Sequence, residues 1–182
     1  MLGDITRLLI EVLFTLFGAT LVLRFWIQAV RLQPYNPLSQ GVMQITNWLV
    51  MPLRRMIPGV RGYDWATAVA AWLAALVYVS LLSMSFGLSP RSLLAAVFTV
   101  LLWSAKLVFW LTLLSAILSW INPSAPVMGA LHTLLGPFLN PIRRILPQAG
   151  GLDFSPIVLL VLMQIVQIVL GYLSIAAVGL RI

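Results

Sequence analysis

Apolar positions along the 182 residues gather into four long runs, near 5–29, 65–84, 93–119 and 154–176. Each is long enough for the roughly 20 apolar residues that a helix needs to cross a bilayer. The second is the cleanest, with no charge from Ala66 to Met84. Between the second and third runs lies only Phe86-Gly-Leu-Ser-Pro-Arg91, a Gly/Pro turn suited to an antiparallel hairpin. The other two connections are longer, and each combines Pro, Gly and Arg with an amphipathic stretch. The pattern predicts an all-α membrane protein with four transmembrane helices plus two interfacial amphipathic helices.

The two long connections are copies of one another. A shift that carries Pro52 onto Pro141, 89 residues, holds without gaps from Pro34 to Asp64. It places Pro34 on Pro123, Pro37 on Pro126, Arg54 and Arg55 on Arg143 and Arg144, Pro58 on Pro147, Gly62 on Gly151 and Asp64 on Asp153. Leu38, Val42, Ile45 and Leu49 fall on Val127, Leu131, Leu134 and Phe138, a helical stripe present in both copies. The chain therefore divides into two parallel tandem repeats, 1–88 and 89–182, with interfacial segments 34–64 and 123–153. Each segment is expected to hold a helix of about a dozen residues lying in the membrane plane, its polar face in the first copy being Ser39, Gln40, Gln44 and Asn47. Packing of that helix on the bundle is the other arrangement. The Pro-x-Arg-Arg-x-x-Pro element follows, and its prolines are expected to restrict any helix there to about one turn.

Composition narrows the function. With 62% hydrophobic and 8% charged residues and a mean hydropathy of +1.05, a soluble domain is excluded. Cysteine is absent, which removes disulfides and thiolate chemistry. The net charge of +7 suits anionic lipid headgroups rather than nucleic acid in so apolar a chain. One His and four acidic residues provide no metal cluster, nucleophilic triad or phosphate loop, so no metal, cofactor or enzymatic activity is expected. His132 has no repeated counterpart, since Met43 occupies its place in the first copy. The N-terminus lacks a basic leader region and reads as an uncleaved first span. Arg54, Arg55, Arg61, Arg143 and Arg144, with Arg31 at the margin, share one side, against Arg7, Arg91 and Arg181 on the other. The positive-inside rule then places the long connections in the cytoplasm and the termini outside.

The candidate site residues are the motif positions Pro52, Arg54, Arg55, Pro58 and Asp64 with Pro141, Arg143, Arg144, Pro147, Gly151, Asp153, Ser155 and Pro156. The paired arginines can bind anionic lipid or an acidic or phosphate-bearing partner through guanidinium forks. Asp64 and Asp153 precede apolar runs, where a carboxylate caps a helix; an Arg to Asp bridge is the second reading. In the second copy Ser155, just before Pro156, competes for the cap. Charges at membrane depth form another group. Glu11 is expected to pair with Lys106 or Arg7, Arg24 to snorkel unaided to the surface, and Gln164 and Gln167 to hydrogen-bond between helices.

Asn122-Pro-Ser, Leu139-Asn-Pro-Ile-Arg-Arg-Ile-Leu-Pro147 and Gly150-Gly-Leu-Asp-Phe-Ser-Pro156 closely resemble the YggT family of bacterial membrane proteins, whose chloroplast relatives share the unit. The resemblance covers the whole chain as two units, the first more divergent, with Gly62-Tyr-Asp-Trp-Ala66 in place of the second copy's Gly-Leu-Asp-Phe-Ser-Pro. It implies an inner-membrane protein linked to osmotic-stress tolerance, envelope homeostasis or complex assembly, and no catalytic site. The expected role is a non-enzymatic assembly or stress-response factor that works through the Arg-bearing connections. Its expected partners are anionic lipid headgroups and a membrane protein or second copy. An ion or osmolyte channel or transporter is the alternative, motivated by the polar groups at membrane depth; an intramembrane enzyme would need Asp153, His132 and Ser155 together.

Overall fold

A computed structural model describes residues 2–33, 35–59, 62–83, 89–146 and 153–179. These fold into six helices: α1 Leu2–Ala29, α2 Pro37–Met56, α3 Trp65–Ser83, α4 Pro90–Ile121, α5 Met128–Ile145 and α6 Ser155–Val178. Of these, α1, α3, α4 and α6 are long and apolar enough to span a membrane. Their ends are set by local chemistry. Leu32 N–H donates to Ile27 C=O and Arg31 N–H to Gln28 C=O, with Arg31 left-handed at φ 56, so α1 closes in a Schellman turn. Asn36 caps α2 by accepting from Leu38 N–H at 2.9 Å, with Pro37 in the first turn. Ser89 and Ser92 form a capping box at the start of α4. Gly179, at φ 73, ends α6.

Within each repeat the three helices pack pairwise, α1 with α2 and α3, and α4 with α5 and α6. The repeats join through α4, which packs against both α1 and α3. Close approach there depends on small side chains. Ala66, Ala70, Ala71, Ala74 and Ala75 of α3 share one core with Ala95 and Ala96 of α4. Gly18 of α1 lies directly against Trp103, where an added Cβ would stand 2.1 Å from the indole ring. Inside the bundle, Thr99, Ser104 and Thr112 donate their hydroxyls to carbonyls four residues back, which satisfies them without a partner helix.

The amphipathic helices differ from expectation in two respects. At 20 and 18 residues, α2 and α5 exceed a dozen and run through Pro52 and through Pro137 and Pro141, carrying the paired arginines in their last turns. A proline removes only the bond to the carbonyl four residues back. Those carbonyls belong to Trp48, Thr133 and Pro137, all exposed, so solvent or headgroups can serve them. In α2 the packed stripe is also rotated from the expected one, whereas in α5 the expected Leu131 and Leu134 are buried and Phe138 is half-buried. Ser39, Val42, Thr46 and Val50 are buried in α2, and their copies Met128, Leu131, Leu135 and Leu139 are buried in α5. Ser39 therefore leaves the predicted polar face and donates to Gln33 C=O at 3.2 Å, whereas Ile45 is exposed.

Candidate functional site

The paired arginines do not act alike. In the first copy Arg54 turns back onto Asp64, with Nε and one terminal nitrogen donating to Oδ2 at 3.1 and 2.7 Å. Asp64 also holds the start of α3: Thr67 donates its hydroxyl to Oδ2 at 2.6 Å and its N–H to Oδ1 at 3.4 Å. In the second copy Arg143 Nε donates to Asp153 Oδ2 at 2.8 Å, and Ser155 N–H to Oδ1 at 2.9 Å. Each Asp thus ties the end of an amphipathic helix to the start of the next span; Asp64 is cap and bridge together, whereas Asp153 precedes the N-cap Phe154 and accepts only from the first N–H of α6. Ser155 begins α6 as a donor to Asp153 instead of serving as its cap, with Pro156 next. Arg55 and Arg144 are exposed and form no ion pair among the described residues.

Burial pushes the Asp64 carboxyl up, but hydrogen bonds from Arg54 and Thr67, the Arg54 charge and the Gln28 side chain together hold it below the ordinary carboxylate value. Burial acts in the same direction on Asp153, and bonds from Ser155 and Arg143 with the Arg143 charge again bring it below that value. The first clamp is the drier one, with side-chain exposures of 4% for Asp64 and 30% for Asp153.

A second polar layer backs the first clamp. Arg24 is only 2% exposed. Its guanidinium crosses to α2 and donates to Thr46 Oγ1 at 2.7 Å and Asn47 Oδ1 at 2.9 Å, while Nε has no acceptor among the described residues. Arg24 therefore does not snorkel unaided, because α2 folds back over the end of α1 and encloses it. The copies of Thr46, Asn47 and Thr67 are Leu135, Gly136 and Pro156, and α4 carries no charge between Lys106 and its C-terminal end at Ile121. This layer belongs to the first repeat alone.

The two amphipathic helices meet at α1. Trp26 Nε1 donates to Leu134 C=O at 3.0 Å, and its ring stacks on Phe138 at 5.1 Å. Leu134 enters one core with Leu23, Ile27 and Val42, so both Arg-bearing helices lie at the same end of the bundle. Sequence reasoning missed Thr67, Gln28 and the latch partner Thr46. The readable signal was that Ser39, Val42, Thr46 and Val50 follow helical spacing, so the two hydroxyls share a face with the valines.

The remaining predicted residues are dispersed. Glu11 is exposed and Lys106 half-buried, and neither forms an ion pair among the described residues. The expected Glu11 pairing with Lys106 or Arg7 is therefore not formed. Gln167 donates to Met163 C=O on its own helix at 3.2 Å, and Gln164 faces outward without a hydrogen bond among the described residues. His132 is exposed and bonds to neither Asp153 nor Ser155. Pro52, Pro58 and Pro141 are exposed. Gly62 adopts φ 84, a left-handed turn that favours glycine, just before Asp64. Pro147 and Gly151 lie outside the described residues, as do Pro34, Arg61 and Arg181.

Residues 4–85 and 94–174 each match the CCB3/YggT family, one match per repeat. A Vibrio alginolyticus protein named for its position in the proC 3′ region is 37% identical over 169 residues, 90% of this chain and 91% of its own length. The Escherichia coli protein YggT is 34% identical over 160 residues, 87% of this chain and 85% of its own length. A Haemophilus influenzae protein is 34% identical over 161 residues, 85% of each chain. No solved structure matches. Two family units, in register with the two halves of the bundle, make this chain a member of the CCB3/YggT family.

Proposed function

We propose that this chain is a non-catalytic inner-membrane assembly or stress-response factor whose working surface is formed by α2 and α5. The supporting observation is the division of labour within each arginine pair. Arg54 and Arg143 are spent on Asp64 and Asp153, whereas Arg55 and Arg144 stand exposed on helices whose orientation those clamps fix. A free guanidinium on a rigid support is suited to bidentate bonding with carboxylate or phosphate. The exposed Trp48, Met56 and Ile145 beside them suit the acyl boundary. On this reading α2 and α5 lie along the membrane surface, held by anionic headgroups, and present Arg55 and Arg144 to an acidic segment of a membrane-protein partner.

On this reading the Arg-bearing end faces the cytoplasm and the N-terminus of α1 the periplasm, an orientation that the excess of arginine at this end supports. The channel alternative rests on Glu11, Arg24, Lys106, Gln164 and Gln167, yet two cavities among the described residues, about 280 and 440 Å³, are lined almost wholly by apolar side chains and by none of these five.

The test is Arg55→Glu with Arg144→Glu in the full chain, insertion verified. Loss of partner crosslinking and of osmotic-shock tolerance is expected; wild-type behaviour in both counts against the proposal. Solute flux from reconstituted liposomes would favour the channel instead.

A further inference from the structure

Among the four spans α6 is the least covered by the rest of the bundle. It packs through Ser155, Leu159, Ser174 and Val178, while Ile157, Val161, Ile168 and Ile175 are exposed. Most of this surface can face lipid without consequence, but two residues on it cannot be explained by lipid. Gln164 is the tenth residue of a 24-residue helix, about mid-membrane, and its exposed amide has no hydrogen bond among the described residues. Hydrocarbon offers such an amide no partner. Two turns on, Gly171 has open space where a Cβ would stand, so no contact within the chain requires glycine there. Glycine on a spanning helix permits close backbone approach by another helix.

Both residues lie on one stripe. Ile157, Val161, Gln164, Ile168, Gly171 and Ile175 are spaced alternately four and three apart, the seam spacing of a left-handed helix pair. β-Branched residues fill one position of the repeat, at Val161, Ile168 and Ile175, as in two-stranded seams. We propose that this stripe of α6 is the interface with a second copy of the chain. A carboxamide carries donor and acceptor together, so Gln164 satisfies its own copy across a twofold axis along the membrane normal, where both residues share one depth. No different partner chemistry is needed. This surface is separate from α2 and α5, and the inference does not depend on how those helices function.

The absence of cysteine makes scanning direct. In native membranes Ile168→Cys and Ile175→Cys are expected to form disulfide-linked dimers on oxidation, and Val169→Cys and Leu162→Cys, on other faces of α6, are not. In vesicles, with dimer fraction read by single-molecule photobleaching, Gln164→Leu is expected to weaken association roughly three- to tenfold, with Gln164→Asn retaining most of it. Gly171→Leu should weaken it as well. Because these side chains face away from the bundle, insertion and the Arg–Asp clamps should persist, as checked by amide exchange of α2. Absent crosslinks, equal crosslinking at 168 and 169, bridging to a different protein, or wild-type association by both the Leu variants would each overturn the proposal.

Discussion

The first repeat anchors its amphipathic helix with a polar latch, and the second does so by packing. Arg24 reaches from α1 to Thr46 and Asn47 on α2. The matching face of α5 offers Leu135 and Leu139, which pack with Val108 and Leu159. Both repeats nonetheless retain the same clamp, from Arg54 to Asp64 and from Arg143 to Asp153. One backbone frame is thus supported by two chemistries, and the clamp is common to both. The difference also has a positional cause. Leu134 is fully buried in one core with Leu23 and Ile27 of α1, whereas its counterpart Ile45 is 56% exposed. The polar latch secures a helix that has less apolar cover.

The most damaging test strikes the joint between the repeats. Gly18→Ala forces a methyl group into the Trp103 ring and is expected to lower stability by about 3 kcal/mol, read as unfolding in mixed micelles. Pairing it with Trp103→Leu should recover part of that loss; an unchanged stability in Gly18→Ala would show that the repeats do not meet as described.

Breaking the clamps separately compares the halves directly. Asp64→Asn should cost about 2 kcal/mol, below the value for fully buried pairs because Arg54 is half exposed. Asp153→Asn, in the wetter clamp, should cost under about 1 kcal/mol. A reversed order would undo the contrast between the drier and the wetter clamp. Converting the first repeat toward the second provides a finer test. Arg24→Met alone is expected to cost about 1–2 kcal/mol by leaving Asn47 without its donor, and adding Thr46→Leu should return part of it, since the two side chains touch.

Acid provides the mildest perturbation. Both carboxyls titrate below their ordinary value in the folded chain. Their contribution is therefore complete above an unfolded pKa of about 3.9 and is lost as pH falls through the lower folded values. Amide protection at the start of α3 and α6, relative to the unstructured exchange rate at each pH, should stay flat from neutrality to about pH 4 and fall only below it. Loosening nearer pH 6 would point to a different titrating group.

The spans were legible because apolarity over about 20 residues has few other meanings, and Trp65–Ser83 and Ser155–Val178 begin and end close to their predicted limits. The clamps were half legible: Asp64 and Asp153 could be read as caps or bridges, and only geometry shows that one carboxylate does both. Proline misled, since Pro52 and Pro141 sit on the outer face where a missing N–H is tolerated. Arg24 misled for another reason. Its burial depends on α2 returning over α1, a tertiary contact that leaves no periodic trace. The outward turn of Gln164 and the idle Lys106 were equally invisible, because membrane depth does not specify which face of a helix packs.

The central claim is that Arg54 and Arg143 hold the structure while Arg55 and Arg144 remain free to dock. The most direct measurement compares Arg54→Gln with Arg143→Gln, and Arg55→Gln with Arg144→Gln, by amide exchange and partner crosslinking in the same membranes. The first pair should raise exchange at the ends of α2 and α5, and the second should leave exchange unchanged while abolishing crosslinking. Increased exchange in the second pair, or crosslinking that persists at the wild-type level, would contradict the account.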